Sequence, residues 1–131
     1  LYNTDKVKDA DAPKTYEELV DPKWSGRVGT WSRAIGFVIL AADWGEAKTV
    51  DYVTKFSALK PKLYRSTYAA AQSVGAGEVD IIFGIHHTAL PTIEKGAPAK
   101  WRFLEPVPVG PLYGVLLKHG RNPNAGKLLL A

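Results

Sequence analysis

The sequence predicts a three-layer αβα domain: an open, mainly parallel β-sheet with helices on both faces. Three observations point there. Short apolar runs alternate with helical patterns along the chain, the order that builds parallel sheets. One run, Val79–Ile85, is largely apolar at successive positions, as a strand buried on both faces must be. The length, 131 residues, is enough for one domain with a real core and no more.

The elements follow in order. Leu1–Asn3 is a short apolar start, the end of a strand. Asp9–Lys14 is polar and contains a proline, hence a loop. Thr15-Tyr16-Glu17-Glu18 fits a capping box, with a hydroxyl at the cap and a carboxylate three residues on. The helix it starts ends near Asp21, because Pro22 disfavours the helical state there. After a Ser25-Gly26 turn, Arg27–Trp31 reads as a strand. Ala34–Ala42 is almost wholly apolar and reads as a buried helix, broken by Asp43-Trp44-Gly45. Glu46–Leu59 sets Ala47, Val50, Val53, Phe56 and Leu59 at steps of three, a helix with one buried face that Lys60-Pro61 ends.

Lys62–Arg65 is a short strand. Thr67–Val74 is an Ala-rich helix, with Gly75 and Gly77 as its C-terminal punctuation. Val79–Ile85 is the doubly buried strand. His86–Lys95 is a helix with a weak point at Pro91, and Lys100–Leu104 is another strand. Glu105–Pro111 holds three prolines and a glycine and reads as an extended crossing segment. Leu112–Lys118 is a further strand, Gly120–Asn122 a turn, and Pro123 opens a last helix. No internal repeat or low-complexity segment interrupts this order.

Composition narrows the function classes. Hydrophobic residues at 46% and charged residues at 23% are ordinary for a soluble globular protein. The net charge of +4 comes with no Lys/Arg block and no basic stretch interleaved with aromatics, so no nucleic-acid partner is expected. There is no cysteine, which removes disulfides and Cys-ligated zinc and suits an oxidising compartment. No signal peptide, membrane-spanning stretch or starting Met is present. Both ends look cut, and the expectation is a piece of a longer protein.

In such sheets a ligand binds outside the carboxyl ends of the strands, where strand order reverses. Three strand-to-helix junctions qualify: Trp31-Ser32-Arg33, Arg65-Ser66-Thr67 and His86-His87-Thr88. Each combines a hydroxyl, a cationic or protonatable group, and free N–H groups at a helix start, a set suited to an anion. None contains Asp or Glu; Glu78 and Asp80 fall at the other end of their strand. Taken singly, Ser32, Ser66 and Thr67 read as helix caps, and Trp31 and Tyr64 as core residues. The coincidence of three junctions carries the reading. His86-His87 makes a poor metal pair, since adjacent side chains diverge and no HExxH spacing supports zinc. His87 and Tyr64 are the candidates if a metal is bound. A GxSxG elbow, a Walker loop and a paired acid and base are all missing, so no enzyme and no cofactor are expected.

Several runs resemble a known family. Tyr2-Asn3-Thr4-Asp5, Pro13–Leu19 (PKTYEEL), Asp21–Gly29 (DPKWSGRVG), Gly77–Ile81 (GEVDI) and Gly120–Ala125 (GRNPNA) are similar, in order, to runs in extracellular solute-binding proteins of the ferric-ion-binder group. Thiamine, polyamine and phosphonate binders are more distant members. The resemblance covers nearly the whole chain; Asp21–Gly29 is its most specific part. It implies one lobe, the second, of a type II periplasmic-binding-protein fold, with a ligand trapped between lobes by hinge closure. It also implies export to the periplasm, or to the cell surface with a membrane tether in a Gram-positive host. The solute would be handed to the membrane permease of an ABC importer.

By the same resemblance, residues 1–104 form the second lobe. Residues 105–131 are a hinge-crossing strand and helix that pack on a missing first lobe, or, without it, fold back or pair with a second copy as a homodimer. Ferric binders carry adjacent tyrosines at the helix start after the "GEVD" strand; His87 and Thr88 stand there and supply no phenolate. The family's anion positions fall around Ser32-Arg33 and Arg65-Ser66. The expected ligand is therefore a small anionic solute or a metal–anion complex, a ferric one included. Ser32, Ser66 and Thr67 would donate hydrogen bonds, Arg33 and Arg65 would neutralise charge, His86 or His87 would contact the ligand, and Trp31 would form an apolar wall. Two other readings stay open: the effector-sensing domain of a transcription regulator, and an enzyme on the same fold.

Overall fold

The computed structural model describes residues 1–111, 113, 115, 116 and 119–130. Five strands, β1 (Tyr2–Asn3), β2 (Val28–Trp31), β3 (Lys62–Tyr64), β4 (Ile81–Phe83) and β5 (Ala99–Lys100), form one sheet in the order β3-β2-β4-β1-β5. β2 pairs in parallel with both β3 and β4, while β1 runs antiparallel to β4 and β5. Four strands thus share one direction, as a mainly parallel sheet requires. Among the described residues six α-helices accompany it: α1 (Tyr16–Leu19), α2 (Ile35–Trp44), α3 (Glu46–Ala58), α4 (Thr67–Gly75), α5 (His86–Glu94) and α6 (Pro123–Leu130).

Alternation along the central strands builds two cores. On one face Tyr2, Val28 and Ile81 meet Tyr16, Leu19, Trp24, Phe37, Leu40, Tyr52 and Phe56 from α1, the turn after it, α2 and α3. On the other, Ile82 and Ala99 meet Ala70 and Val74 of α4, with Ile93 of α5 at the edge. Gly29 lies where the second face is tightest: a Cβ there would come within 2.7 Å of Ile82 Cδ1 and 2.9 Å of Tyr64 Cε2.

The distinctive runs do structural work. Asp21 accepts from the Lys23 N–H at 2.9 Å, capping a 3-10 turn over Pro22–Trp24. Trp24 is buried, its indole N–H donates to the Glu18 carbonyl at 3.0 Å, and Arg27 stacks over its ring. Gly26 takes φ +70°, open to glycine without strain. Arg27 then binds the Asp80 carboxylate at 2.5 Å, and its carbonyl accepts the Asp80 N–H at 2.8 Å. The DPKWSGR run is thereby tied to the GEVDI run. Asn3 is buried with its side chain satisfied: its amide donates to the Val74 carbonyl at 2.7 Å, and its oxygen accepts from the Asp5 and Lys6 N–H groups.

Some expectations need correction. The Thr15 hydroxyl does cap α1, accepting from the Glu18 N–H at 3.1 Å, but the Glu18 carboxylate turns to the Lys14 N–H instead of the cap residue. α2 is not buried all round: only Phe37 and Leu40 are, while Ile35 and Val38 stay 49% and 68% exposed. In α3 the buried side chains are Thr49, Tyr52 and Phe56; Val50 is 58% exposed and Ala47 is exposed too. Steps of three fall about 60° short of a turn each time, so the expected row drifts off the buried face. The runs Val79–Ile85 and Lys100–Leu104 form strands only over Ile81–Phe83 and Ala99–Lys100. The strand expected over Leu112–Lys118 falls in part on Leu112, Gly114, Leu117 and Lys118, which lie outside the described residues; Tyr113, Val115 and Leu116 are described and belong to no strand.

Candidate functional site

β3, β2 and β4 are neighbours with matched ends, Trp31 opposite Tyr64 and Thr30 opposite Phe83. The junctions that follow them therefore emerge side by side at one edge of the sheet. β2 is also where the order reverses, since the chain steps to β3 on one side and then to β4 on the other.

Backbone and side-chain bonds lock the junctions together. The Ser32 N–H donates to the Tyr64 carbonyl at 2.8 Å, and the Trp31 indole N–H to the Arg65 carbonyl at 3.3 Å. Thr30 Oγ1 donates to the Phe83 carbonyl at 2.9 Å. Arg33 lies over the Trp31 ring, 5.3 Å from its centroid, in a cation–π arrangement. Ser32, Arg33, Arg65, Ser66 and His87 are exposed; Trp31, Thr67 and His86 are intermediate.

The helix starts differ. Ser66 caps α4 by accepting from the Ala69 N–H at 3.4 Å. α2 and α5 begin at Ala34 and Ile85 with no side-chain cap among the described residues. Their first N–H groups are the donors that an anion at this edge would meet. Ser32 stands two residues ahead of the α2 cap position and is not itself a cap. Thr88 is turned inward: it is buried, and its hydroxyl donates to the Ile85 carbonyl at 2.8 Å.

Charge is segregated across the sheet. At the opposite edge Lys62 pairs with Glu78 at 2.6 Å, and Asp80 with Arg27 at 2.5 Å and Lys6 at 3.6 Å. The acidic groups of that strand are thus neutralised away from the junctions. Tyr64 packs at the edge of the second core; its phenol oxygen is shielded and has no hydrogen-bond partner among the described residues. The same holds for His86 Nε2. No group of three or more His, Asp or Glu placed to hold a metal ion occurs among the described residues.

Two aromatic side chains beside the third junction were not singled out from sequence. Trp101 and Phe103 follow β5 and pack on the His86 ring, at centroid distances of 4.4 and 5.4 Å. Their spacing of two, in a run read as a strand, was the available signal, because alternate residues share a face. A cavity of about 60 Å³ opens there, lined by Thr67, Ala71, Ile82, His86, Ala89 and Trp101 among others. It joins the second junction, through Thr67, to the third.

Comparison with known proteins agrees with this architecture. The chain is 30% identical over 116 residues to iron uptake protein A1 of Synechocystis sp., covering 83% of this chain and 32% of that protein. Its structure matches iron-bound HitA from Pseudomonas aeruginosa with a TM-score of 0.60 and 28% identity, covering 72% of this chain and 32% of HitA. The chain thus spans about a third of the length of each. No family model matches the sequence.

Proposed function

From this homology to part of an iron uptake protein, and from the fold shared with part of HitA, we propose that the chain is the second lobe of a two-lobed solute-binding protein. The lobe captures a small anionic solute or a ferric–anion complex and delivers it to the permease of an ABC importer. It works outside the cytoplasmic membrane, in the periplasm or at the cell surface. It is not an enzyme. The observation that carries the reading is the alignment of three carboxylate-free junctions at the ends of three adjacent parallel strands.

The geometry supports a role for each residue in this reading. Arg33 and Arg65 supply positive charge at the first two junctions. Ser32, Ser66 and Thr67 donate hydroxyl hydrogen bonds, beside the uncapped N–H groups of α2. His86 and His87 bound the site on the α5 side, and Trp31 is the wall between the first two junctions. An anion brings its own charge to donors that are already oriented, so little reorganisation opposes binding. A ferric ion fits this reading when its anion is what the lobe holds, since Thr88 faces inward and no cluster of acidic or His ligands is present among the described residues.

Residues 105–131 are the part that reaches toward a first lobe. Pro106–Val109 line a depression with Ile39, Leu40 and Ala42 of α2, and the Tyr16 hydroxyl donates to the Pro106 carbonyl at 2.9 Å. Further on, Val109, Tyr113, Val115, Leu128 and Leu129 are 74% to 86% exposed. Side chains of this kind gain by burial, and a first lobe or a second copy of the chain would provide it.

The test is mass spectrometry of the solute that co-purifies with the complete protein, with metal analysis of the same sample. An organic or inorganic anion, with or without iron, is expected. Ferric ion with no accompanying anion would sink the anionic reading. Arg33→Ala and Arg65→Ala are each expected to weaken binding of that solute by roughly tenfold or more, the scale of a charge-assisted hydrogen bond.

A further inference from the structure

The third junction carries an aromatic cluster that capture of a simple anion does not use. Trp101 and Phe103 are 4.7 Å apart between centroids, and both contact the His86 ring, which the indole meets edge-on. The cluster is only partly covered: Trp101 is 38% exposed, Phe103 50% and the neighbouring Ile85 38%. Next to it is the cavity of about 60 Å³, whose buried lining is Ala71, Ile82, Ala89 and Thr88, the last with its hydroxyl turned to the Ile85 carbonyl. Thr67, in the first turn of α4, and Arg102, which donates to the Ala12 and Asp9 carbonyls, are polar residues of the lining. His86 also lines it, with Nε2 shielded and without a partner among the described residues.

A bare inorganic anion would gain nothing from three aromatic rings. A flat ring would gain from all of them, through edge-to-face and offset contacts. Size limits how it enters. Cavities that enclose a whole benzene are on the order of 150 Å³, so only one edge of a ring fits here, and the remainder lies against Trp101 and Phe103. The polar end then falls toward Thr67 and the second junction.

We infer that this is a subsite for the ring of an aryl carboxylate. The ring packs on Trp101, Phe103 and His86, and the carboxylate points to Thr67 and the start of α4. The inference rests on the anion-capture reading and narrows its ligand to anions that carry a planar ring.

The test is an NMR titration of the 131-residue chain with benzoate, acetate, cyclohexanecarboxylate and benzyl alcohol. The Trp101 indole N–H, the His86 ring and the Thr67 amide are the reporters. Benzoate is expected to shift all three saturably and to bind roughly two- to tenfold more tightly than acetate or cyclohexanecarboxylate, the range that aromatic pairing supplies. Trp101→Leu should abolish that preference and leave acetate binding unchanged; the ligand comparison on the unsubstituted chain needs no variant. Equal binding of benzoate, cyclohexanecarboxylate and acetate overturns the ring subsite and leaves anion capture standing. Benzyl alcohol binding as tightly as benzoate keeps the ring subsite and overturns the anion reading instead. No shift at Trp101 with benzoate overturns the inference outright.

Discussion

Asp9 and Gly29 show how single residues set the conditions under which this fold holds. Asp9 accepts from Lys100 at 2.8 Å and from the Tyr2 hydroxyl, and lies 3.2 Å from Arg102. Those hydrogen bonds, Lys100's first, hold its carboxyl down at about 2, against an ordinary value of 3.8. A carboxylate whose pKa is lowered by folding adds stability above the unfolded pKa and loses it as pH falls through the folded one. Part of the acid sensitivity is therefore expected between roughly pH 4 and pH 2. Asp9→Asn should flatten that part of a plot of unfolding midpoint against pH, lying modestly below the parent at neutral pH, since Asp9 is exposed, and meeting it near pH 2. Gly29 has no room for a Cβ between Ile82, Tyr64 and the Lys62 carbonyl. Gly29→Ala should cost about 1–3 kcal/mol in denaturant unfolding, the usual penalty of overpacking. A neutral result would mean that β2 and β3 can spread apart where Gly29 pairs with Lys62.

At the scale of elements, α3 separates what local pattern specifies from what the tertiary fold decides. Phe56 is buried between Phe37, Tyr52 and Phe83, whereas Val50 faces water. Phe56→Ala should cost about 3–5 kcal/mol, and Val50→Ala no more than about 0.5 kcal/mol, by equilibrium unfolding. Thr15→Ala should remove the α1 cap at a cost of about 1 kcal/mol. Element starts and stops were legible because their causes are local: the Thr15 hydroxyl, Pro22, and glycines at positive φ such as Gly26 and Gly77. The buried faces were less so. α2 is apolar in composition on every side, and only packing selects Phe37 and Leu40 for the core. The strands proved shorter than their apolar runs because pairing, not hydropathy, ends a strand. The three junctions could be read from sequence once a parallel sheet was assumed. The inward turn of Thr88 could not, since it depends on the hydroxyl finding the Ile85 carbonyl. Nor could the packing of Trp101 and Phe103 on His86, which joins residues from two elements.

Across the whole molecule, the sheet divides apolar cores by face and charge by edge. Paired carboxylates crowd the edge where β2, β3 and β4 begin; hydroxyls, arginines and histidines mark the edge where they end. Tyr16 connects the first core to the crossing segment. Its phenol is held protonated by burial, with its pKa pushed up to about 12, so it remains a donor to the Pro106 carbonyl at any ordinary pH. Tyr16→Phe should lower global stability by about 1 kcal/mol and should reduce hydrogen-exchange protection around Val107 more than in β2 or β4. The central claim is that ligand binds where the three junctions converge, and amide NMR of this chain titrated with ferric citrate tests it most directly. Binding to one lobe alone is expected to be weak but localised. Paramagnetic broadening should appear together at Ser32–Ala34, Arg65–Thr67 and Gly84–His87. Broadening centred instead on Arg27, Lys62, Glu78 and Asp80, or spread evenly over the surface, would contradict the account.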